Sequence, residues 1–217
     1  MAALGAAPAI EQVESFSLAK EFPFLGAQAG DDQGWRVRLA TTKLPWPERL
    51  PGRPDAYPRW VTVFLDAGAE RILAVTARAE DPTADPAAVP AKADRALLTR
   101  MSGDLGPFSQ VSPKLTFMDA LVRVCGGGSG YPPLARDIDA YHLRYLESGR
   151  PERSVWLVDL HGLPEMPMSV PVLSPPVKLK PSGKRFSHAC IMIDAATGEL
   201  LYPMSSDTPD DRFPDRE

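Results

Sequence analysis

The sequence predicts an α+β protein built from two tandem units, in each of which a helix packs on a small antiparallel β-sheet. The main observation is an internal repeat. A short strand that opens with Trp, a proline-rich gap and a hairpin that turns at Asp-Ala occur twice in the same order. The first copy runs from Trp35 to Leu73 and the second from Trp156 to Leu201. Segments with apolar residues at helical intervals precede both copies, which adds a helix to each unit.

The domain boundary is expected within residues 80–92, where Pro, Ala and Asp dominate and large apolar side chains are almost absent. Such a composition is typical of a linker. We therefore assign residues 1–85 to a first unit and residues 86–217 to a second unit that carries a proline-rich insertion. A length of 217 residues allows two domains of about 100 residues each.

In the first unit, Ile10, Val13 and Phe16 are spaced at roughly helical intervals. They predict a helix over residues 9–22 that ends at Pro23. Alternating or continuous runs of apolar residues then predict strands. These strands cover residues 35–39, 59–65 and 70–79.

In the second unit, apolar stripes predict three helices. These helices cover residues 91–101, 116–125 and 136–147. Either Ser112-Pro113 or Thr116 caps the second of them, and the glycines at 126–128 end it. The predicted strands cover residues 155–160, 186–194 and 199–204.

Asp66 and Asp194 are expected to organise the two hairpin turns, because an Asp that opens a turn accepts hydrogen bonds from backbone N–H groups a few residues later. Gly198 is expected to adopt the left-handed conformation that such a turn requires next to its bulge. In the first copy a glycine already follows Ala67. The two turns are therefore predicted to be similar but not identical.

The charge distribution argues against a nucleic-acid partner. The formal net charge is −4, with 24 Lys and Arg against 28 Asp and Glu. Binding to nucleic acid needs clustered cations that displace phosphate counterions. The only basic cluster covers residues 178–185, and we interpret it as a solvated loop. No apolar stretch approaches the roughly 20 residues that span a bilayer, so we expect no membrane-spanning segment.

The compartment is left open, with an extracytoplasmic location favoured over a cytoplasmic one. Residues 1–9 lack the basic start and the apolar core of an intact signal peptide. Their Ala/Pro-rich composition fits a stub that follows a removed signal peptide. The two cysteines are too few for a disulfide framework. They fit either one bridge in an oxidising compartment or two buried thiols.

The closing segment from Ile191 to Leu201 resembles the final hairpin of PepSY-type domains, in which an apolar strand runs into Asp-Ala-x-Thr-Gly-Glu and two further apolar residues. The strand from Trp156 to Leu160 looks like the strand before it. The resemblance implies a helix followed by a small antiparallel sheet, with no catalytic residues. It also implies a pro-segment or inhibitory role beside peptidases. The long proline-rich insertions depart from the compact pattern of the family.

The strongest candidate for catalysis is a Cys–His pair. His188 and Cys190 lie two apart on a predicted strand and so share one face. An imidazole can lower the pKa of a thiol and accept its proton. The more ordinary interpretation, which we favour, is a buried Cys190 with His188 at a strand edge. A disulfide between Cys125 and Cys190 is a further possibility, and two buried thiols are its alternative.

Metal and cofactor sites are not expected. Asp159 and His161 lie two apart, but zinc needs three or four converging ligands, usually at tight local spacing. The glycines at 126–130 follow a helix instead of a strand and lack the Lys-Ser/Thr ending of a phosphate loop. We therefore predict no cofactor.

Trp46 lies between Pro45 and Pro47 in a predicted loop, whereas the other three Trp residues begin strands. An exposed Trp in a proline-rich loop is a candidate contact site for a protein partner.

The sequence therefore favours a non-catalytic binding or regulatory module of unknown ligand, which could act on a peptidase or an envelope component. The first alternative is a cysteine-dependent hydrolase that uses Cys190 and His188. The second alternative is a structural or assembly protein that acts through its sheet edges and proline-rich loops.

Overall fold

The computed structural model describes residues 9–22, 33–43, 58–79, 104–124, 135–147, 149–164 and 186–209. In these segments the chain forms nine strands and two short helices. The elements are β1 (Ile10–Ser17), α1 (Leu18–Glu21), β2 (Gln33–Lys43), β3 (Pro58–Asp66), β4 (Ile72–Arg78), β5 (Asp104–Phe108), α2 (Phe117–Val124), β6 (Asp137–Leu146), β7 (Arg153–Pro164), β8 (Phe186–Asp194) and β9 (Leu200–Pro209).

All nine strands belong to one antiparallel sheet. Its order is β1-β2-β3-β4-β6-β7-β8-β9, and β5 pairs with β6 beside this path. We call β1–β4 the first half and β6–β9 the second half. β4 and β6 join the halves through register pairs that include Ala74 with Tyr141 and Arg78 with Asp137. The two halves therefore form one continuous antiparallel sheet.

The predicted fold class is wrong, because the protein is a large antiparallel sheet with two short helices and not two units of a helix on a small sheet. The segment 9–22, predicted as a helix, forms β1 and the single-turn α1. The segment 136–147, also predicted as a helix, contains β6. The predicted boundary near residues 80–92 and the predicted helix over 91–101 lie outside the described residues, so both stay predictions.

The burial of β6 explains why its sequence resembles that of a helix. Tyr141, Leu143 and Tyr145 are buried on one face of the strand, and Ile138 and Ala140 are buried on the other. A strand that is buried on both faces loses the alternation of apolar and polar residues that marks a half-buried strand. Apolar residues then occur at three- and four-residue intervals by coincidence.

One surface of the sheet, which we call the aromatic face, carries a cluster of rings. Phe22 lies at its centre, with ring centroids 5.8 Å from Phe16, 5.2 Å from Phe64, 5.1 Å from Phe108 and 6.2 Å from Tyr141, all in edge-to-face geometry. Such pairs stabilise a fold beyond the area that they bury. Because the cluster joins rings from β1, β3, β5 and β6, both halves share one core on this face.

The opposite surface, which we call the helix face, is covered by α2 in the second half. Phe117 and Leu121 of α2 are buried in one cluster with Trp156 and Ile193 of the sheet. The indole Nε1 of Trp156 donates a hydrogen bond to the Leu115 carbonyl oxygen at 2.9 Å. This bond fixes the start of α2 above the sheet.

The prediction of α2 is confirmed, and its cap is Thr116 instead of Ser112. The Asp119 N–H donates to Thr116 Oγ1 at 3.1 Å, and the Thr116 N–H donates to Asp119 Oδ2 at 3.1 Å. This reciprocal pair satisfies backbone donors that a helix start otherwise leaves unpaired.

The two predicted Asp turns are also confirmed. Asp66 Oδ1 accepts from the N–H groups of Glu70 and Arg71 at 2.9 and 3.1 Å. Asp194 Oδ1 accepts from the N–H groups two and three residues later at 2.8 and 2.9 Å. Gly198 has a φ of 76°, the left-handed value expected from the sequence. Both turns therefore use an Asp Oδ1 as the acceptor, but the donors lie four and five residues later in the first turn and two and three residues later in the second.

The strand pairing shifts register at corresponding points in the two halves. One shift lies after Leu39 between β2 and β3, and another lies after Leu160 between β7 and β8. A second pair of shifts lies between the two residues that precede each turn Asp. These are Phe64 and Leu65 before Asp66, and Met192 and Ile193 before Asp194. Trp35 and Trp156 consequently hold matching places on the second strand of each half.

Candidate functional site

The structure describes only some of the residues that the sequence singled out. Trp46, Pro45, Pro47 and Cys125 lie outside the described residues, so the Trp-Pro contact site and the disulfide stay predictions. Cys190 lies in β8, and only 2% of it is exposed.

His188 also belongs to β8, two residues before Cys190, but its side chain lies outside the described part of the chain. The predicted Cys–His pair therefore stays a prediction.

A cluster of buried charges lies on the aromatic face, where β4, β6 and β7 meet. We call it the buried charged cluster, and it consists of Arg78, Asp137, Asp139, Asp159 and His161. Asp139 pairs in register with Asp159, and Asp137 pairs with both Arg78 and His161. Residues two apart on a strand share one face, so all five belong to two adjacent rows of the sheet.

Distances within the cluster show how its charges are compensated. Arg78 Nη1 lies 2.6 Å from Asp139 Oδ1, and its Nε lies 3.7 Å from Asp137 Oδ2. His161 Nε2 lies 3.2 Å from Asp159 Oδ2 and 3.9 Å from Asp139 Oδ2. Asp139, Asp159 and His161 are buried. A buried carboxylate is costly unless it is paired, so Arg78 is needed to hold Asp139 in the core.

The cluster lies beside Cys190, because β8 pairs Cys190 in register with Asp159. The sequence pattern points to Asp159 and His161 but not to Asp137, Asp139 and Arg78. The signal that could have found them is the two-residue spacing of Asp137 and Asp139, which only has meaning once residues 137–146 are assigned to a strand.

The helix face is exposed at β1 and β2, the two outer strands of the first half, whereas Val61, Val75 and Ala77 of β3 and β4 are buried on it. Ile10 is 63% exposed, Val13 54% and Trp35 41%, and Val37 and Leu39 are half-buried beside them. Register pairing places all five on this face. We call these five residues the contact face. Contiguous exposed apolar side chains of this kind mark interaction sites more often than isolated ones do.

The two corresponding Trp residues show what the contact face lacks. Trp156 is fully buried under α2, and its indole donates to the Leu115 carbonyl oxygen. The Leu115 N–H in turn donates to the Ala195 carbonyl oxygen at 3.0 Å. In the first half, Trp35 Nε1 donates directly to the carbonyl oxygen of Ala67 at 3.1 Å. Ala67 follows Asp66 as Ala195 follows Asp194, so the two alanines correspond. In the second half Leu115, just before α2, lies between the Trp indole and this alanine. In the first half the Trp indole bonds the alanine directly.

The turn that receives the Trp35 hydrogen bond is firmly held. Arg71 Nε lies 2.8 Å from Asp66 Oδ2, and Arg71 Nη1 donates to the Ser109 carbonyl oxygen at 3.2 Å. Burial alone would raise the pKa of Asp66, but hydrogen bonds from Arg71 and Glu70 hold it below its ordinary value. The contact face therefore ends at an ordered turn.

The described segments contain neither a cluster of metal ligands nor a membrane-spanning helix. No three His, Cys, Asp or Glu side chains there are placed to share a metal ion. In the buried charged cluster, Arg78 already neutralises Asp139. Both described helices fall short of the length and hydrophobicity that a bilayer-spanning helix requires.

Comparison with known proteins gives no further guide to the site. No protein-family model, no curated protein and no solved structure matches the chain significantly.

Proposed function

We propose that the protein is a binding or regulatory module whose contact face receives an amphipathic helix of a partner protein. The observation that carries this proposal is the difference between the two halves of the helix face. Trp156 is fully buried beneath α2, whereas Trp35, at the corresponding place, is 41% exposed. The contact face itself carries no titratable side chain, which suits binding and not catalysis.

Continuity with the interior supports a helix as the occupant. Leu39 and Val63 pack against the same buried cluster that contains Trp156 and the apolar residues of α2. The contact face is therefore an extension of a surface that already binds a helix within the protein. An amphipathic helix docks on such a surface through apolar side chains three or four residues apart, as Phe117 and Leu121 do.

The class of partner comes from the resemblance alone. PepSY-type domains accompany peptidases as pro-segments or inhibitory modules, and the Asp-Ala-Ala-Thr-Gly-Glu turn at residues 194–199 carries the resemblance here. We propose membership of this family, and a peptidase or an envelope component as the partner. Under the same proposal, the two halves of the sheet are tandem copies, and their corresponding register shifts support this.

A structural or assembly role is the second candidate, and one observation favours it. Among the described residues, β1 pairs with β2 alone, so one side of β1 is a sheet edge. An exposed edge can add a strand from another chain. This role would use the backbone of β1 and not the apolar side chains of the contact face.

The cysteine-hydrolase alternative has less support. Reactive cysteines are partly exposed in electropositive surroundings, whereas Cys190 is buried beside the carboxylate-bearing Asp159. Slow alkylation of Cys190 at neutral pH would agree with the binding proposal, and rapid alkylation would favour the hydrolase.

The experiment uses α2 itself as the probe, because it is the one helix whose fit to this kind of surface the structure shows. A synthetic peptide with the sequence of residues 112–124 is titrated into the whole protein up to a peptide concentration of about 1 mM. This range detects binding with a free energy of about −4.1 kcal/mol or stronger. Calorimetry measures binding to the wild type and to Val13→Asp. The control peptide carries Phe117→Ala and Leu121→Ala.

We expect saturable binding to the wild type, and no binding either to Val13→Asp or from the control peptide. Equal binding to Val13→Asp would overturn the contact face as the site. Concentration-dependent self-association that Val13→Asp abolishes would identify a second copy of this chain as the occupant, and would contradict a partner helix.

A further inference from the structure

The residue that precedes the cap of α2 is held through both its N–H and its carbonyl group. The Leu115 N–H donates to the Ala195 carbonyl oxygen at 3.0 Å, and the Leu115 carbonyl oxygen accepts the indole N–H of Trp156 at 2.9 Å. The Lys114 N–H donates to the same Ala195 oxygen at 3.1 Å. All three bonds use only the backbone of the held segment, so the sheet binds the chain that leads into the helix independently of its side chains.

The first half of the sheet carries the same two groups at corresponding places. Trp35 pairs in register with the residue before Asp66, and Trp156 pairs with the residue before Asp194. The two turns also share a backbone bond, since the N–H of each Asp donates to the carbonyl oxygen five residues later. The alanine that follows each Asp is therefore placed in the same way relative to its Trp.

In the first half these two groups bond to each other. Trp35 Nε1 lies 3.1 Å from the Ala67 carbonyl oxygen, and both residues are exposed. The apolar surface beside them is also less covered than its counterpart. Leu65 is half-buried, whereas the corresponding Ile193 is buried in one cluster with the apolar residues of α2. The donor and the acceptor that hold the backbone before α2 in the second half are thus at the surface in the first half.

We propose that Trp35 Nε1 and the Ala67 carbonyl oxygen form a backbone clamp that binds the residue preceding the cap of the partner helix. This inference rests on the proposed function and adds the direction in which the helix binds, with its N-terminus at the Asp66 turn. Docking opens the bond between the two groups, and the inserted residue then bonds to each of them. Both groups stay paired in the free and the bound protein, so docking leaves no buried donor or acceptor unsatisfied.

The direction of the helix follows from the clamp and not from the apolar contacts. Burial of apolar surface is non-directional. A hydrogen bond depends on the alignment of its donor and acceptor. The clamped residue must present its N–H to the turn and its carbonyl oxygen to the indole, as Leu115 does, and a helix that runs the other way cannot do so from its first turn.

The clamp and the contact face together define the chemistry of the partner segment. The clamped residue needs a backbone N–H, which excludes proline. A capping residue such as Thr116 comes next, because the clamp leaves the N–H groups of the first turn to be satisfied by the partner itself. An aromatic residue follows at the first helical position, with a small residue three positions later and a leucine four positions later, as in Phe117, Ala120 and Leu121. The partner is therefore a protein segment with a capped helix start and this apolar pattern.

The test uses the acetylated peptide of residues 112–124 and two derivatives of it. One derivative carries an N-methyl group on the Leu115 amide, which removes the donor to the clamp and keeps every side chain. The matched control carries the N-methyl group on Ser112, before the clamped segment. Calorimetry measures the binding of each peptide to the whole wild-type protein and to Trp35→Phe, which removes the indole N–H and keeps an aromatic side chain.

We expect the Leu115 derivative to bind about fivefold more weakly than the parent peptide, and Trp35→Phe to weaken the parent peptide by a similar factor, the usual effect of one lost hydrogen bond. The Ser112 derivative should bind like the parent. Equal binding of all three peptides would overturn the clamp and leave the contact face in place. No binding of the parent peptide would contradict the proposed function, and this inference with it. Self-association of the protein that Trp35→Phe weakens would assign the clamp to a second copy of this chain and overturn a separate partner.

The direction of binding is measured separately, on the wild-type protein. A nitroxide spin label is attached to the N-terminus or to the C-terminus of the peptide, and nitrogen-15 NMR follows the amide signals of Gly68 and Glu70 in the Asp66 turn. The eight residues of the helix span about 12 Å, so the two labels lie at different distances from the turn. The N-terminal label should broaden the two signals more strongly than the C-terminal label. Equal broadening, or the reverse order, would overturn the proposed direction.

Discussion

Asp139 and Asp159 lie directly opposite each other on β6 and β7, and both are buried. Like charges in this position destabilise a pair of strands. Arg78 Nη1, 2.6 Å from Asp139, offsets this repulsion, and His161 Nε2 lies 3.2 Å from Asp159. The core of the sheet therefore contains a set of charged groups whose burial depends on the Arg78 guanidinium.

Loss of Arg78 should be far more damaging than loss of a surface arginine. Arg78→Met leaves buried carboxylates without their cation, so the free energy of unfolding should fall by about 3–5 kcal/mol. Arg150→Met, which removes an exposed ion pair with Glu147, should lower it by less than about 1 kcal/mol. Urea unfolding measures both. Equal effects would show that the buried charged cluster does not stabilise the sheet.

The two corresponding Trp residues should differ in their contribution to stability. Trp156→Ala opens a cavity beneath α2 and should lower the free energy of unfolding by about 3–5 kcal/mol. Trp35→Ala removes an exposed side chain and one exposed hydrogen bond, and should cost about 1 kcal/mol or less. Thermal and urea unfolding compare the two variants. A Trp35→Ala variant as unstable as Trp156→Ala would show that the contact face is part of the core.

Protonation of His142 should destabilise the protein in acid. Burial, followed by the positive charge of Arg71, lowers its pKa from 6.5 to about 4, so between these pH values His142 is protonated in the unfolded chain and neutral in the folded chain. The free energy of unfolding should therefore decrease as the pH falls through this window, by up to about 3 kcal/mol. Urea unfolding of wild type and His142→Gln between pH 7.5 and 4.5 tests this. Parallel pH dependence in the two proteins would refute it.

The cap of α2 should be specific to Thr116. Thr116→Ala removes the acceptor of the Asp119 N–H and should lower the free energy of unfolding by about 1 kcal/mol. Ser112→Ala, at the other candidate cap in the sequence, should leave it unchanged within about 0.5 kcal/mol. Urea unfolding provides the comparison, and a larger loss in Ser112→Ala would reverse the assignment of the cap.

Local signals predicted β2, β3, β4, β7, β8 and β9 as strands, but not their order in a single sheet. Hairpin turns depend on a single acceptor and a few backbone donors, so Asp66, Asp194 and Gly198 could be assigned from the sequence. α2 was also found, because its start carries its own capping residues. β1 and β6 were missed. β6 is buried on both faces, and this removes the alternation by which a strand is recognised.

The candidate sites depend on contacts between strands, which sequence spacing does not give. Arg78 and Asp139 are distant in sequence and meet only because β4 pairs with β6. Asp139 and Asp159 meet across β6 and β7 in the same way. Once the segment 136–147 is interpreted as a helix, neither pair can be inferred. The contact face could not be predicted for another reason: Trp35 and Trp156 both begin strands, and the sequence does not show that a helix covers only one of them.

The most direct test of the binding proposal is the indole N–H resonance of Trp35 in a nitrogen-15 NMR titration with the α2 peptide of residues 112–124. Trp35 Nε1 now donates to the Ala67 carbonyl oxygen. If the peptide docks as α2 does, the indole should transfer its hydrogen bond to a carbonyl group of the peptide, and this resonance should shift until the site is saturated. The Trp35→Phe variant lacks the signal and so identifies it. A Trp35 resonance that stays unchanged to about 1 mM peptide, or one that moves equally with the Phe117→Ala, Leu121→Ala control peptide, would contradict the account.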